Sequence, residues 1–224
     1  MVQKILLRFL LLALIFAGAP NIYGQEAEED SITTPFRKGR WLIGLSGSIS
    51  SGATENTSID RKTNSNRYRI EVGAGNFIAN RINIGFLTHM ERENAEDDAS
   101  QRTSEIFFIG PKGAYYFSKS EIGSLFFSTA PGFMLYRENT GLLQDEVFTE
   151  SLYKGFGFGV LSTLGYSYVI HDRVSLDLGL NLSLYWVDVD QDLTPVGTNE
   201  EVNFEISNLS FSFGFKVLLD SLQF

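Results

Sequence analysis

The chain contains no cysteine. That excludes a disulfide framework and thiolate metal sites. It also excludes a lipoprotein anchor, whose acyl chains attach to a cysteine. Histidine is almost as scarce, with only His89 and His171. Long apolar runs are missing too. The longest, residues 5–17, is interrupted by Arg8 and is shorter than the roughly 20 residues of a spanning helix. Positive charge is in deficit: 18 Lys and Arg stand against 27 Asp and Glu, a formal net charge of -9. Such a balance argues against nucleic acid as a partner. Proline is held to 5 residues, while glycine reaches 21 and phenylalanine 19.

The first 24 residues read as a cleavable signal peptide. Lys4 and Arg8 supply its positive start, and small residues follow the apolar run. Cleavage after Gly24 is preferred to cleavage after Ala19, where Pro20 would follow the cut. Residues 25–38 then form an acidic N-terminal segment carrying Glu26, Glu28, Glu29 and Asp30.

The strongest pattern lies between Val174 and Trp186. Val174, Leu176, Leu178, Leu180, Leu182, Leu184 and Trp186 alternate with Ser175, Asp177, Gly179, Asn181, Ser183 and Tyr185. A membrane-spanning β-strand needs such alternation over about 9–11 residues. Seven further segments read the same way, at 39–51, 67–77, 82–92, 105–117, 124–137, 152–169 and 202–219. A phase slip predicts a bulge at Ser207-Asn208. Pro111 and Pro131 each predict another, since proline cannot donate to a ladder. The connections alternate between long polar loops (52–66, 93–104, 138–151, 190–201) and short turns (78–81, 118–123, 170–173). The fold expected is all-β: an eight-stranded antiparallel up-and-down transmembrane barrel over residues 39–224. Long loops would face the cell exterior, and both termini the periplasm. Trp41, Tyr115, Tyr166 and Tyr168 would form an aromatic girdle near the periplasmic ends, Tyr68 and Trp186 one near the outer ends.

Here the chain resembles a known family. Lys38-Gly39-Arg40-Trp41-Leu42-Ile43-Gly44 is similar to the first strand of the Bacteroidetes-type outer-membrane β-barrel domain. Phe108-Ile109-Gly110-Pro111, followed by Tyr115-Tyr116-Phe117, resembles that family's fourth strand. Val72-Gly73 through Asn80-Arg81-Ile82-Asn83-Ile84-Gly85 resembles its first periplasmic turn. The run from Leu209 to Phe215 and the terminal Phe224 resemble signals read by barrel-insertion machinery. The resemblance implies a small barrel of the outer-membrane protein A and X type. It brings no catalytic signature.

Candidate chemistry is sparse. His89 points inward two residues before Glu91, where a hydrogen-bonded lumen histidine is expected. His171-Asp172-Arg173 reads as a turn. Lipid A-modifying barrels imply a serine–histidine pair on the lipid-facing wall. Ser162 faces lipid here, but no outward histidine accompanies it. Asp188-Val189-Asp190-Gln191-Asp192 has the opening spacing of a calcium loop, then fails at Leu193 and Asn199. Gly155, Gly157 and Gly159 face inward, making room for large neighbours. No cofactor or metal is expected. Glu71, Lys112, Asp177 and Lys216 occupy inward phases, and charges buried there must pair. With Phe108, Tyr116, Phe126, Tyr136 and Tyr153 also inward, they predict a plugged lumen. The expected function is a non-enzymatic outer-membrane barrel of a Gram-negative bacterium. It would serve envelope integrity, or surface contact through its four loops. The alternatives are a small diffusion channel and a lipid A-modifying enzyme. Expected partners are outer-membrane lipid, lipopolysaccharide, the insertion machinery and an unidentified ligand of the loops.

Overall fold

The computed structural model describes residues 34–56, 61–96, 100–144, 147–193 and 199–220. The proposed signal peptide, residues 25–33 and Phe224 lie outside them. Eight antiparallel strands follow in chain order: β1 (Trp41–Asn56), β2 (Arg61–Ala79), β3 (Ile82–Glu96), β4 (Ser100–Tyr116), β5 (Gly123–Gln144), β6 (Val147–Ile170), β7 (Val174–Leu193) and β8 (Asn199–Leu219). Each pairs with its neighbour in sequence, and β8 pairs with β1 to close the barrel.

Alternation explains the two faces. Leu178, Leu180 and Leu182 are exposed on the outer wall, while Asp177, Asn181 and Ser183 are buried inside. The same holds elsewhere: Phe211, Phe213 and Phe215 face out of β8, and Leu125, Phe127, Phe133 and Leu135 face out of β5. Tyr68, Tyr115, Tyr166 and Tyr168 are exposed on the outer wall; Trp41 and Trp186 are half-buried.

Three sequence expectations are corrected. β7 and β8 pair without interruption from Val174–Val217 to Asp192–Asn199, so Ser207-Asn208 is not a bulge. Glu205 and Ser207 simply continue the outward phase as polar residues. The prolines cause no bulge either. Pro111 keeps its place opposite Phe86, and Pro131 opposite Val160. They face each other instead across β4 and β5. Pairing there lapses between Ile109–Phe133 and Gly113–Thr129, then resumes in the same register. The missing N–H groups fall on a single seam, and nothing is inserted. Finally, the long polar loops are mostly strand. β5 and β6 stay paired out to Gln144 and Val147. An irregularity that the alternation did not predict sits between Phe77 and Ala79.

The two ends of the barrel differ in closure. β1 pairs with β8 only from Trp41–Leu219 to Gly47–Phe213, at the short-turn end. At the last short turn, His171 and Asp172 both have positive φ, 49° and 57°. That is the backbone of a tight hairpin whose twist matches its strands.

Candidate functional site

The barrel interior is the place where polar and titratable side chains converge. At the short-turn end it is corked by residues that precede β1. Phe36 is fully buried and stacks on Tyr116 with ring centroids 4.0 Å apart. Phe77, Phe126, Val169 and Leu218 complete this apolar layer. Arg40, 2% exposed, donates to Asp172 Oδ1 at 2.8 Å and to the Pro35 carbonyl at 2.9 Å. Its Nε lies 2.7 Å from Asp220. Arg37 bonds the same two carboxylates, each at 2.9 Å. The Arg81 amide donates to the Phe36 carbonyl at 2.7 Å. The end of the acidic segment is thus stitched to the turns by two arginines and one phenylalanine.

Next come the four charges read from the sequence. Lys112 Nζ donates to Glu71 Oε1 at 3.4 Å. Lys216 forms a salt bridge with Asp177. The pair is diagonal in the ladder, since Asp177 stands opposite Gly214 and Lys216 opposite Ser175. Lys216 spans the offset by lying over Gly44, where any Cβ would meet its Cγ. Its ammonium also sits 4.7 Å from the Phe126 ring centre. Asp177 accepts from Ser167 at 2.7 Å and Ser175 at 3.1 Å. The cavities left around these pairs are about 20 Å³ each. That holds one or so water molecules, which need roughly 10–15 Å³ apiece by the same kind of measure.

Above the ion pairs the section divides. Towards β4–β7, Phe108, Met134, Leu161 and Tyr185 form an apolar plug with Leu87. The Gly159 position leaves space for the Tyr185 ring. Towards β2 and β3, Arg69 is 4% exposed and donates to Glu91 at 2.6 Å and to Ser183 at 2.7 Å. His89 is buried, with Nε2 3.1 Å from the Tyr185 hydroxyl and 3.9 Å from Glu91. Beyond these layers the lumen lined by the described residues is wider. A cavity of about 270 Å³ is lined by Arg67, Glu93, Arg102, Tyr136, Glu138 and Tyr153. There Arg67 pairs with Glu93 at 2.6 Å, and the Tyr136 hydroxyl donates to Glu138.

The remaining candidates are dispersed. The Ser162 hydroxyl lies 3.4 Å from that of Thr129. His171 is exposed in its turn. Asp188 lies within β7, which continues to Leu193, so the calcium-loop spacing falls on a strand and not a loop. Among the described residues no group of three or more His, Cys, Asp or Glu is placed to hold a metal ion. The cork was missed by sequence reading. Its signal was Pro35-Phe36-Arg37, an apolar ring and a cation ending an acidic stretch.

Eight up-and-down strands with an apolar outer wall define the small outer-membrane type of β-barrel. No protein-family model matches the chain, and no curated protein matches it. Among solved structures, the outer membrane protein OprG from Pseudomonas aeruginosa is similar, with a TM-score of 0.53 and 8% identity, over 84% of this chain and 100% of that one. The translocator domain of autotransporter NalP from Neisseria meningitidis gives 0.47 and 12%, over 80% of this chain. The chain spans 62% of that domain's length. Neisserial surface protein A gives 0.37 and 19%, over 80% of this chain and 97% of that one. The likeness to OprG is one of fold.

Proposed function

We propose that this chain is a non-enzymatic, non-conducting outer-membrane protein that supports envelope integrity and offers its long hairpins to the cell exterior. One observation carries the reading. From Phe36 through the ion pairs to Tyr185, the lumen is filled by packed or paired side chains. An eight-stranded barrel has an interior only wide enough for side chains, and here they occupy it. The apolar wall suits lipid, and a solved fold similar to it with a TM-score above one half is an outer membrane protein. The even strand count puts both ends of the barrel chain on the short-turn side, which we assign to the periplasm. A cleaved leader at residues 1–24, an acidic periplasmic segment at 25–38 and insertion by the barrel-assembly machinery belong to the same proposal. So does membership of the Bacteroidetes-type family, which rests on the motifs quoted above.

Deletion in the native host tests this. The mutant should become more sensitive to detergents and large antibiotics, and wild type should restore resistance. A chain with its four hairpins trimmed to the apolar wall should restore resistance if the barrel itself matters. Should only the full hairpins do so, surface contact is the role. A deletion strain that instead grows poorly on one small nutrient, with an intact barrier, would contradict the proposal.

A further inference from the structure

The cavity at the long-hairpin end is blind towards the short turns. Tyr136, Tyr153 and Ile206 line it and pack against the apolar plug built on Phe108 and Tyr185. A solute that enters from the hairpin side is held there and does not pass through. The volume of about 270 Å³ falls just below the roughly 300–1,000 Å³ of pockets for drug-sized ligands. It suits one small ring and not a chain of them.

The described charges around it cancel. Glu91, Glu93 and Glu138 line the cavity with Arg67 and Arg102. Arg69, hydrogen-bonded to Glu91 at 2.6 Å, is the third cation. Arg67 is held by Glu93 at 2.6 Å. A charged solute would compete with these pairs, and a neutral one would not. Arg102 and Glu138 stand differently. Their nearest atoms, Nη1 and Oε2, are 4.0 Å apart, beyond hydrogen-bond length. Glu138 accepts from the Tyr136 and Thr140 hydroxyls. A solute hydroxyl about 2.8 Å from both groups would accept from the guanidinium and donate to the carboxylate through one oxygen. Beside this gap stand Ile106, Ile206 and the two tyrosines. Each tyrosine presents an apolar body with a polar tip.

We propose that this cavity binds a single neutral saccharide ring. One ring hydroxyl bridges Arg102 and Glu138, and the C–H face lies against the isoleucines and tyrosines. A saccharide combines what the wall asks for: no charge, hydroxyls that both donate and accept, and an apolar face, all within one ring. The site deepens the surface-contact side of the proposed function and rests on the long hairpins facing the cell exterior.

Saturation-transfer NMR on the full-length protein, in a detergent without sugar headgroups, tests the site. Glucose, galactose and mannose are the neutral probes, glucosamine the cationic one and glucuronate the anionic one. At least one neutral hexose should bind saturably, and more tightly than either charged sugar. Arg102→Gln with Glu138→Gln removes the charged bridge and should weaken that binding about tenfold or more. Ser104 also lines the cavity, so Ser104→Phe fills it without removing a charge and should abolish binding. Lys119→Gln with Arg173→Gln, at the short-turn end, should leave binding unchanged. Heat-dependent migration in gels confirms that each variant is folded. Adding lipopolysaccharide identifies the source: displacement of the hexose supports a glycolipid sugar, and no displacement supports a free one. Binding of none of the three hexoses, or preference for a charged sugar, would overturn the proposal. So would undiminished binding by Ser104→Phe or by the Arg102/Glu138 variant. Binding in micelles does not depend on orientation or phenotype, so its failure leaves the envelope proposal to the deletion test.

Discussion

The two ends of this barrel are built from the same strands with the same inward alternation, yet one is shut and the other is open. At the short-turn end, β1 and β8 are laddered together, Phe36 fills the bore and Arg40 ties the turns. At the long-hairpin end the β1–β8 ladder has stopped, and a cavity of about 270 Å³ is lined by tyrosines and mixed charges. The difference teaches where the fold's stability is concentrated. Just inside the shut end, Lys216 and Asp177 are nearly buried and matched, so each partner depends on the other. Charges at the open end are partly wet, with Arg67 28% exposed, and water can replace a lost partner.

The largest expected effect therefore falls in the shut region. Asp177→Ala removes the carboxylate that bridges the Lys216 ammonium in a nearly buried site. Removing one member of a buried pair should cost about 3–5 kcal/mol. Urea titration of the folded barrel in lipid measures it. The double change Asp177→Leu with Lys216→Met removes both charges and should recover most of the loss; failure to recover would mean the pair is not the unit.

The wall around the shut region should meet lipid. Leu180→Arg tests that, because Leu180 is exposed on the outer wall of β7 and Asn181 is buried inside. An arginine near the bilayer midplane should cost roughly 2–4 kcal/mol in the same titration. A variant as stable as wild type would place that wall outside the membrane.

Phe36→Ala loosens the cork without touching the ion pairs. Residues 34–38 should become sensitive to protease from the short-turn side, while the barrel's urea midpoint moves little. If protease sensitivity is unchanged, Phe36 is not what holds the segment. Last and smallest is Glu93→Gln in the open cavity. A part-exposed ion pair contributes about 0–1 kcal/mol, so its urea midpoint should scarcely move. A loss as large as that of Asp177→Ala would erase the distinction between the two ends.

How much of this was legible in the sequence depends on whether a residue faces two different solvents. Leu180 and Asn181 were legible because one meets the outer wall's surroundings and the other the lumen, and period-two alternation records that contrast. The same phase put Glu71, Lys112, Asp177 and Lys216 inside, where the structure pairs them. Beyond the apolar belt polar residues occur on both faces. The contrast disappears although pairing continues, so the hairpin extensions of β5 and β6 looked like loops. Glu205 and Ser207 looked like a phase slip for the same reason. Pro111 and Pro131 lie 20 residues apart in sequence, and only the register reveals that they share a seam. The cork was illegible for a different cause. Phe36 and Arg40 find their partners at Tyr116, Asp172 and Asp220, and no local period encodes contacts that distant.

The central claim is that paired and packed side chains close the lumen. Conductance of the full-length barrel in planar bilayers tests it most directly. Wild type should pass no stepwise current at neutral pH and moderate salt. A steady single-channel current from folded wild-type barrels would contradict it.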